Sequence, residues 1–319
     1  MSRLKNFRPE AIATVSAGSS WLTAAHVAYE LDLPLHLILH DHLPTQCAVQ
    51  PMFAAWMHRR FATVYRQATT RLCVSPNMDE FYHRAFGVVG TVLYPSRSPS
   101  EPTAQPVNVS NRLGAPFTVL YAGTVAPKSY VDLLGRLARV LESIDGRLVI
   151  YALAERGNHH MRPLLRPNVE LRARVPSDEL KRRFRHEADV LFVPMSFEPA
   201  DEINMHISFP SKLADYTATG IPLLVWGPTY CSAIRWVSDF PGAAAVVDSL
   251  EENKLAEMLK RLKYDSAYRS ALGVGALAAG EASFSQTVAW RVFSEALRQS
   301  VPQSATTVEK RQVRYAAKD

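Results

Sequence analysis

Residues 208–224 read SFPSKLADYTATGIPLL, a helix start followed at once by a helix stop. Ser208 is a residue type that caps helices, and Pro210 suits a first helical turn, where a missing N–H costs nothing. Gly220 and Pro222 end the run, after which PLLVW reads as a buried strand. A helix start leaves free amides and the positive end of a dipole, which suits a phosphate group. The stretch therefore predicts a helix–strand unit with an anion site at its head.

The surrounding chain supplies the setting. It has 319 residues, 47% apolar and 21% charged, enough for two packed cores and too apolar for a disordered chain. A net charge of +6 favours acidic partners such as a nucleotide or anionic head groups. Cys47, Cys73 and Cys231 are odd in number and widely spaced, so neither a disulfide framework nor a CxxC metal site is expected. MSRLKNFRPE lacks the apolar core of a signal peptide, and no uncharged apolar run reaches the ~18 residues of a membrane span. The expected setting is the cytoplasm, with the inner face of a membrane compatible with the charge.

Strands and helices alternate along the chain. AIATVS, PLHLILH, RLCVS and TVLYP read as strands before residue 95, with helices between them. Residues 95–116 hold five prolines and few large apolar side chains, the composition of a linker. Beyond it FTVLYAG, RLVIYAL, VELRA, DVLFVPM and PLLVW are strands. SDELKRRFRHEA is a helix with Ser177 as its expected cap, and helices follow to about residue 300. MSFEPADEINMHI (195–207) reads as a long polar loop. Such alternation means βαβ units and parallel sheets. The expected fold class is α/β, two Rossmann-like doubly wound domains with a cleft between them, the N-terminal one shortened. The expected divisions are 1–94, a partial acceptor-side domain; 95–116, the linker; and 117–282, a nucleotide-sugar domain. A helix at 283–300, free to pack back on the first domain, and a frayed tail at 301–319 complete the chain.

Residues at strand ends carry the candidate chemistry. Gly123 and Thr124 follow FTVLYA, where a glycine lets a ligand approach the backbone. Lys128 could reach a phosphate as a point charge, or stand solvated at a plain turn. Asp215 could accept from a ribose diol, or pair with a lysine. His40, Asp41 and His42 suggest a metal, but neighbours on an extended segment point to opposite faces, so no metal is expected. KRRFR (181–185) could grip nucleic acid or lipid phosphates. Spread around a helix, those charges read better as a solvated face, and no nucleic acid is expected. Trp56, Met57, Phe61 and Tyr65 recur at helical spacing and read as core, or else as an apolar patch on the acceptor side, core being the better reading.

FPSKLADYTATGIPLLVWGP resembles the donor-binding segment of GT-B glycosyltransferases, of the retaining group known as family 4, with its pattern Phe-Pro-x-Lys-Leu-x-Glu-Tyr-x-Ala-x-Gly-x-Pro. VLYAGT, the 168–194 stretch, RLCVSPNMDEFYHRAFG and LHLILHDHLP resemble other parts of that family, so the likeness covers roughly residues 11–300.

The resemblance implies a transfer of sugar from a UDP- or GDP-type donor to a hydroxyl on a glycan or lipid-linked acceptor, with retention of configuration and no other cofactor. It implies donor binding by Gly123, Thr124, Lys128, Arg174, Val175, Ser208, Phe209, Pro210, Ser211, Lys212 and Asp215, with Ser211 and Lys212 facing the diphosphate. His40 falls where the family has a histidine near the donor sugar. The family's first glutamate, eight residues before Asp215, is Ile207 here. Glu202, Glu198 or His206 could take its place, and the alternative is a non-catalytic sugar-nucleotide-binding partner. Peripheral membrane contact is compatible with the charge. The sequence leaves the oligomeric state open.

Overall fold

A computed structural model describes residues 7–43, 51–98, 114–125, 127–152 and 159–299. The chain divides into two compact units. Unit 1 takes the chain up to Tyr94, the short stretch Ile207–Phe209, and the chain from Thr287; unit 2 takes Pro95–His206 and Pro210–Gln286. Cys47, Ala126, most of the Pro-rich stretch and the tail at 301–319 lie outside the described residues.

Unit 1 holds β1 (Ile12–Val15), α1 (Ser20–Leu31), β2 (Leu35–Leu39), α2 (Pro51–Gln67), β3 (Thr70–Cys73), α3 (Pro76–Phe86) and β4 (Thr91–Val92). The four strands are parallel and lie in chain order, β1-β2-β3-β4. α3 starts as its sequence dictates: Ser75 Oγ accepts from the Met78 amide at 3.0 Å, Pro76 opens the first turn, and Gly87 closes the helix in the left-handed conformation. The core is aromatic. Phe61 and Tyr65, from the helical stripe on α2, pack with Trp21, Tyr82 and Phe86, ring centroids 5.2–5.9 Å apart. Trp56 and Met57 of that stripe are only half-buried.

Unit 2 holds β5 (Phe117–Ala122), α4 (Lys128–Glu142), β6 (Gly146–Tyr151), β7 (Val169–Arg172), α5 (Ser177–Glu187) and β8 (Val190–Pro194). It continues with α6 (Glu202–Ile207), α7 (Lys212–Tyr216), β9 (Leu223–Trp226), α8 (Ser232–Asp239), β10 (Ala245–Val247), α9 (Glu252–Tyr264) and α10 (Ser266–Phe284). α11 (Gln286–Leu297) follows and is assigned, from Thr287 on, to unit 1. Strands β5, β6, β8 and β9 are almost wholly buried, which is why each reads as an unbroken apolar run. The sheet is parallel, in the order β10-β9-β8-β5-β6-β7. Winding runs from β5 through β6 to β7, then returns to the other side of β5 for β8, β9 and β10.

Four local expectations are corrected. The 195–207 stretch is not a loop throughout: it carries a 3-10 turn at Pro199–Asp201 and then α6. A strand, β10, lies within the stretch read as purely helical; its three residues are too few to show a period. Ser208 does not cap the helix that follows it. α7 begins at Lys212 with Ser211 at the cap position, in right-handed helical geometry and without a side-chain cap bond. Ser177 is likewise the first residue of α5, and Pro176 precedes it as cap.

Candidate donor site at the reversal of the second sheet

In a doubly wound sheet, ligands sit beyond the carboxyl ends of the strands where the winding reverses. Here that point lies between β5 and β8. β5 pairs with β6 to its last residue, Ala122 opposite Tyr151. Its pairing with β8 ends two residues earlier, Leu120 opposite Leu191. The freed polar groups of Ala122 are met by a side chain. Tyr216, at the end of α7, accepts from the Ala122 amide at 2.8 Å and donates to the Ala122 carbonyl at 3.2 Å. A buried backbone pair left unmet would be costly, so this tyrosine is what lets the two strands part.

Gly123 follows the gap. Its amide donates to the Tyr151 carbonyl at 3.1 Å. A Cβ at this position would lie 2.7 Å from the Tyr121 hydroxyl and 3.1 Å from Lys212 Nζ, so only glycine fits. Lys212 projects from the head of α7, and its Nζ stands 4.2 Å from the centroid of the Tyr121 ring. It has no hydrogen bond or ion pair among the described residues. Burial therefore acts unopposed and brings its pKa down to about 7. The Tyr121 hydroxyl donates to the Thr124 carbonyl at 2.7 Å. Gly123 and Thr124 and, from far along the chain, Lys212 are thus gathered around one tyrosine.

The remaining candidates fall out differently. Asp215, one turn beyond Lys212, pairs with Lys181 of α5 at 3.1 Å and keeps half of its side chain exposed. Lys128 is exposed at the start of α4, and Arg174 is exposed beyond β7, with Val175 half-buried beside it. Ser211 is exposed and Pro210 half-buried. Ser208 and Phe209 are assigned to unit 1, where the Phe209 ring packs on Tyr94 at 4.8 Å. His40, exposed just past β2, also belongs to unit 1. Glu202 is exposed at the start of α6, and His206 at its end sets its ring edge-on to Tyr230, 6.4 Å between centroids. Near them the Tyr130 phenol is pushed up to about 12 by burial, then by the charge of Asp201. Ile207 is fully buried. Glu198 is exposed before the 3-10 turn.

The helix-dipole expectation needs correction. α7 has five residues, too few peptide units in line for a substantial macrodipole. The charge offered to a ligand is that of Lys212. Tyr121 and Tyr216 were not singled out as site residues. The one available signal was an aromatic residue two positions before the strand-end glycine, and a buried strand explains such a residue equally well.

No family model matches the sequence, and no curated protein matches it. Solved structures do. Sucrose-phosphate synthase from Thermosynechococcus elongatus superposes with a TM-score of 0.68 at 16% identity, over 93% of this chain and 75% of that one. HepE from Anabaena in complex with UDP gives 0.67 at 17% identity, over 88% and 76%. TarM gives 0.66 at 10% identity, over 93% of this chain but only 57% of its own length. Identities this low speak to architecture, and the architecture is that of the GT-B glycosyltransferases, two Rossmann-like units of parallel strands.

Proposed function

We propose that unit 2 binds a nucleoside diphosphate sugar at the β5/β8 reversal and that the chain transfers the sugar to a hydroxyl acceptor. One observation carries the reading: a half-buried lysine without a counter-ion among the described residues, held beside a glycine at the strand gap. A diphosphate is the ligand that such a site lacks. As the glycosidic bond to the diphosphate breaks, negative charge grows on the leaving oxygens, and Lys212 stabilises it. Gly123 leaves room for the phosphates, and the Asp215 oxygen not engaged by Lys181 is available to a ribose hydroxyl. A UDP-type donor is supported by the likeness to HepE, whose structures contain UDP-glucose or UDP. Transfer with retention, and a glycan or lipid-linked acceptor, extend the same reading from the motif.

A second reading has its own observation. The position eight residues before Asp215 is an isoleucine, fully buried, so it offers the sugar no carboxylate. On that ground the chain would bind a sugar nucleotide without turning it over, as the partner of a transferase.

Calorimetry with UDP, GDP and UDP-glucose, followed by transfer assays over an acceptor panel, separates the two. Tight donor binding with sugar transfer supports the enzyme. Tight binding with neither transfer nor hydrolysis supports the partner. Failure of all three nucleotides to bind overturns both.

A further inference from the structure

We propose that Tyr121 is a positioning residue for Lys212: its ring holds the ammonium over the strand gap while its hydroxyl pins the loop beneath. The inference rests on the reading of Lys212 as the diphosphate-binding group.

Tyr121 is fully buried at the end of β5, so its ring is a fixed surface. Lys212 Nζ lies over that surface at 4.2 Å from the centroid. The hydroxyl of the same ring donates to the Thr124 carbonyl at 2.7 Å, which sets the course of the chain just past Gly123. One side chain thereby fixes both the cation and the loop against which a ligand would lie.

A ring suits this task better than a carboxylate would. A carboxylate would neutralise the lysine and occupy its N–H groups, and an arriving diphosphate would have to displace it. The negative face of an aromatic ring attracts the cation while leaving the N–H donors open. The titratable groups near the ring are the phenols of Tyr121 itself, Tyr130 on α4 and Tyr216 on α7, all raised by burial and so neutral at working pH. Asp215 on α7 is engaged by Lys181 of α5. Among the described residues the lysine therefore meets only neutral groups, which accords with its pKa near 7.

The test uses the full chain with UDP and inorganic pyrophosphate as probes. Replacing Tyr121 by phenylalanine, then by phenylalanines carrying increasing numbers of fluorine atoms, weakens the negative ring face at nearly constant shape. Affinity for both probes should fall stepwise with fluorine number, by about tenfold or more between phenylalanine and its pentafluoro analogue, from the loss of the cation–ring attraction. Tyr121→Leu should fall at least as far, and Tyr121→Phe, which keeps the ring and loses only the bond to the Thr124 carbonyl, should fall by less but measurably, about the value of one hydrogen bond. Each variant's far-ultraviolet circular dichroism and melting temperature control for folding, and the fluorinated series keeps the test open if the leucine variant fails to fold. Affinity independent of fluorine number overturns the role of Tyr121. Lys212→Met binding both probes as the parent does would instead overturn the reading of Lys212 itself, so the two failures are distinguishable.

Discussion

The strands of unit 1 lie in chain order, β1-β2-β3-β4, whereas the sheet of unit 2 doubles back between β5 and β8. In unit 1, pairing persists to the carboxyl ends: Leu39 lies opposite Cys73, and Cys73 opposite Val92. In unit 2 the two strands at the reversal part before β5 ends, and Tyr216 takes up the freed backbone of Ala122. The cores differ in parallel. Unit 1 is packed around Trp21, Phe61, Tyr65, Tyr82 and Phe86; the main core of unit 2 is largely aliphatic, with Tyr121 and Tyr216 at the gap. Winding direction, rather than composition, decides which sheet opens a gap between neighbouring strands.

The contrast can be broken most forcefully at Phe61. Phe61→Ala should cost about 3–5 kcal/mol of stability, the range for emptying a packed aromatic site. Denaturant titration measures the loss, and UDP affinity well below the midpoint should not change. A matching loss of affinity would mean that the sheets do not divide the work as described. Lys212→Met should show the reverse pattern. UDP binding should weaken by about 1–3 kcal/mol, the scale of a charge-assisted hydrogen bond, with the melting temperature equal to or above that of the parent, since a partly desolvated cation without a counter-ion among the described residues has been removed.

Acid and base sharpen the comparison, because each unit holds a base whose pKa burial lowers into or below the neutral range. His36 in β2 is fully buried; its Nδ1 bonds Thr70 Oγ1 at 2.8 Å, and its Nε2 has no partner among the described residues. Burial lowers its pKa below 6.5, so the unfolded chain binds the proton more readily. Stability should fall as pH drops below 6.5, recorded by melting temperature from pH 7 to 5. Lys212 obeys the same sign in another window. Its native pKa near 7 lies below the unfolded 10.5, so its contribution to stability rises with pH between those values. UDP affinity runs the other way, falling roughly tenfold from pH 6 to 8 as the protonated fraction falls, and Lys212→Met should flatten the profile. The smallest effect is expected at Asp215. Asp215→Asn should cost less than about 1 kcal/mol of stability, because its pair with Lys181 is half-exposed. If the carboxylate meets a ribose, that variant weakens UDP a few-fold, about the value of one hydrogen bond, and leaves pyrophosphate unchanged.

Much of this was legible in the residues. The buried parallel strands announce themselves as apolar runs, and α3 is bounded by Ser75, Pro76 and Gly87 as capping chemistry requires. Gly123 stood out as a strand-end glycine, although a plain βα turn explains one equally well, and Lys212 stood out only through the likeness of FPSKLADY to a donor-binding segment. The start of α7 was misplaced for a local reason. Ser208 and Pro210 carry capping chemistry, yet residues 207–209 are assigned to unit 1 and helical hydrogen bonding resumes only after Pro210. The 195–207 segment looked like a loop because its two short turns bury little, leaving no periodic apolar face to detect.

The sequence by itself determined the longer strands, most of the helices between them and the residue types that suit a diphosphate, because these follow from local pattern and backbone chemistry. Only the tertiary structure decided that β8 returns to the far side of β5. Tyr121 and Lys212 are ninety-one residues apart along the chain, and their meeting at 4.2 Å follows from that return. Local sequence does not encode strand order, which is set by how two sheet faces and their helices bury the most apolar surface together.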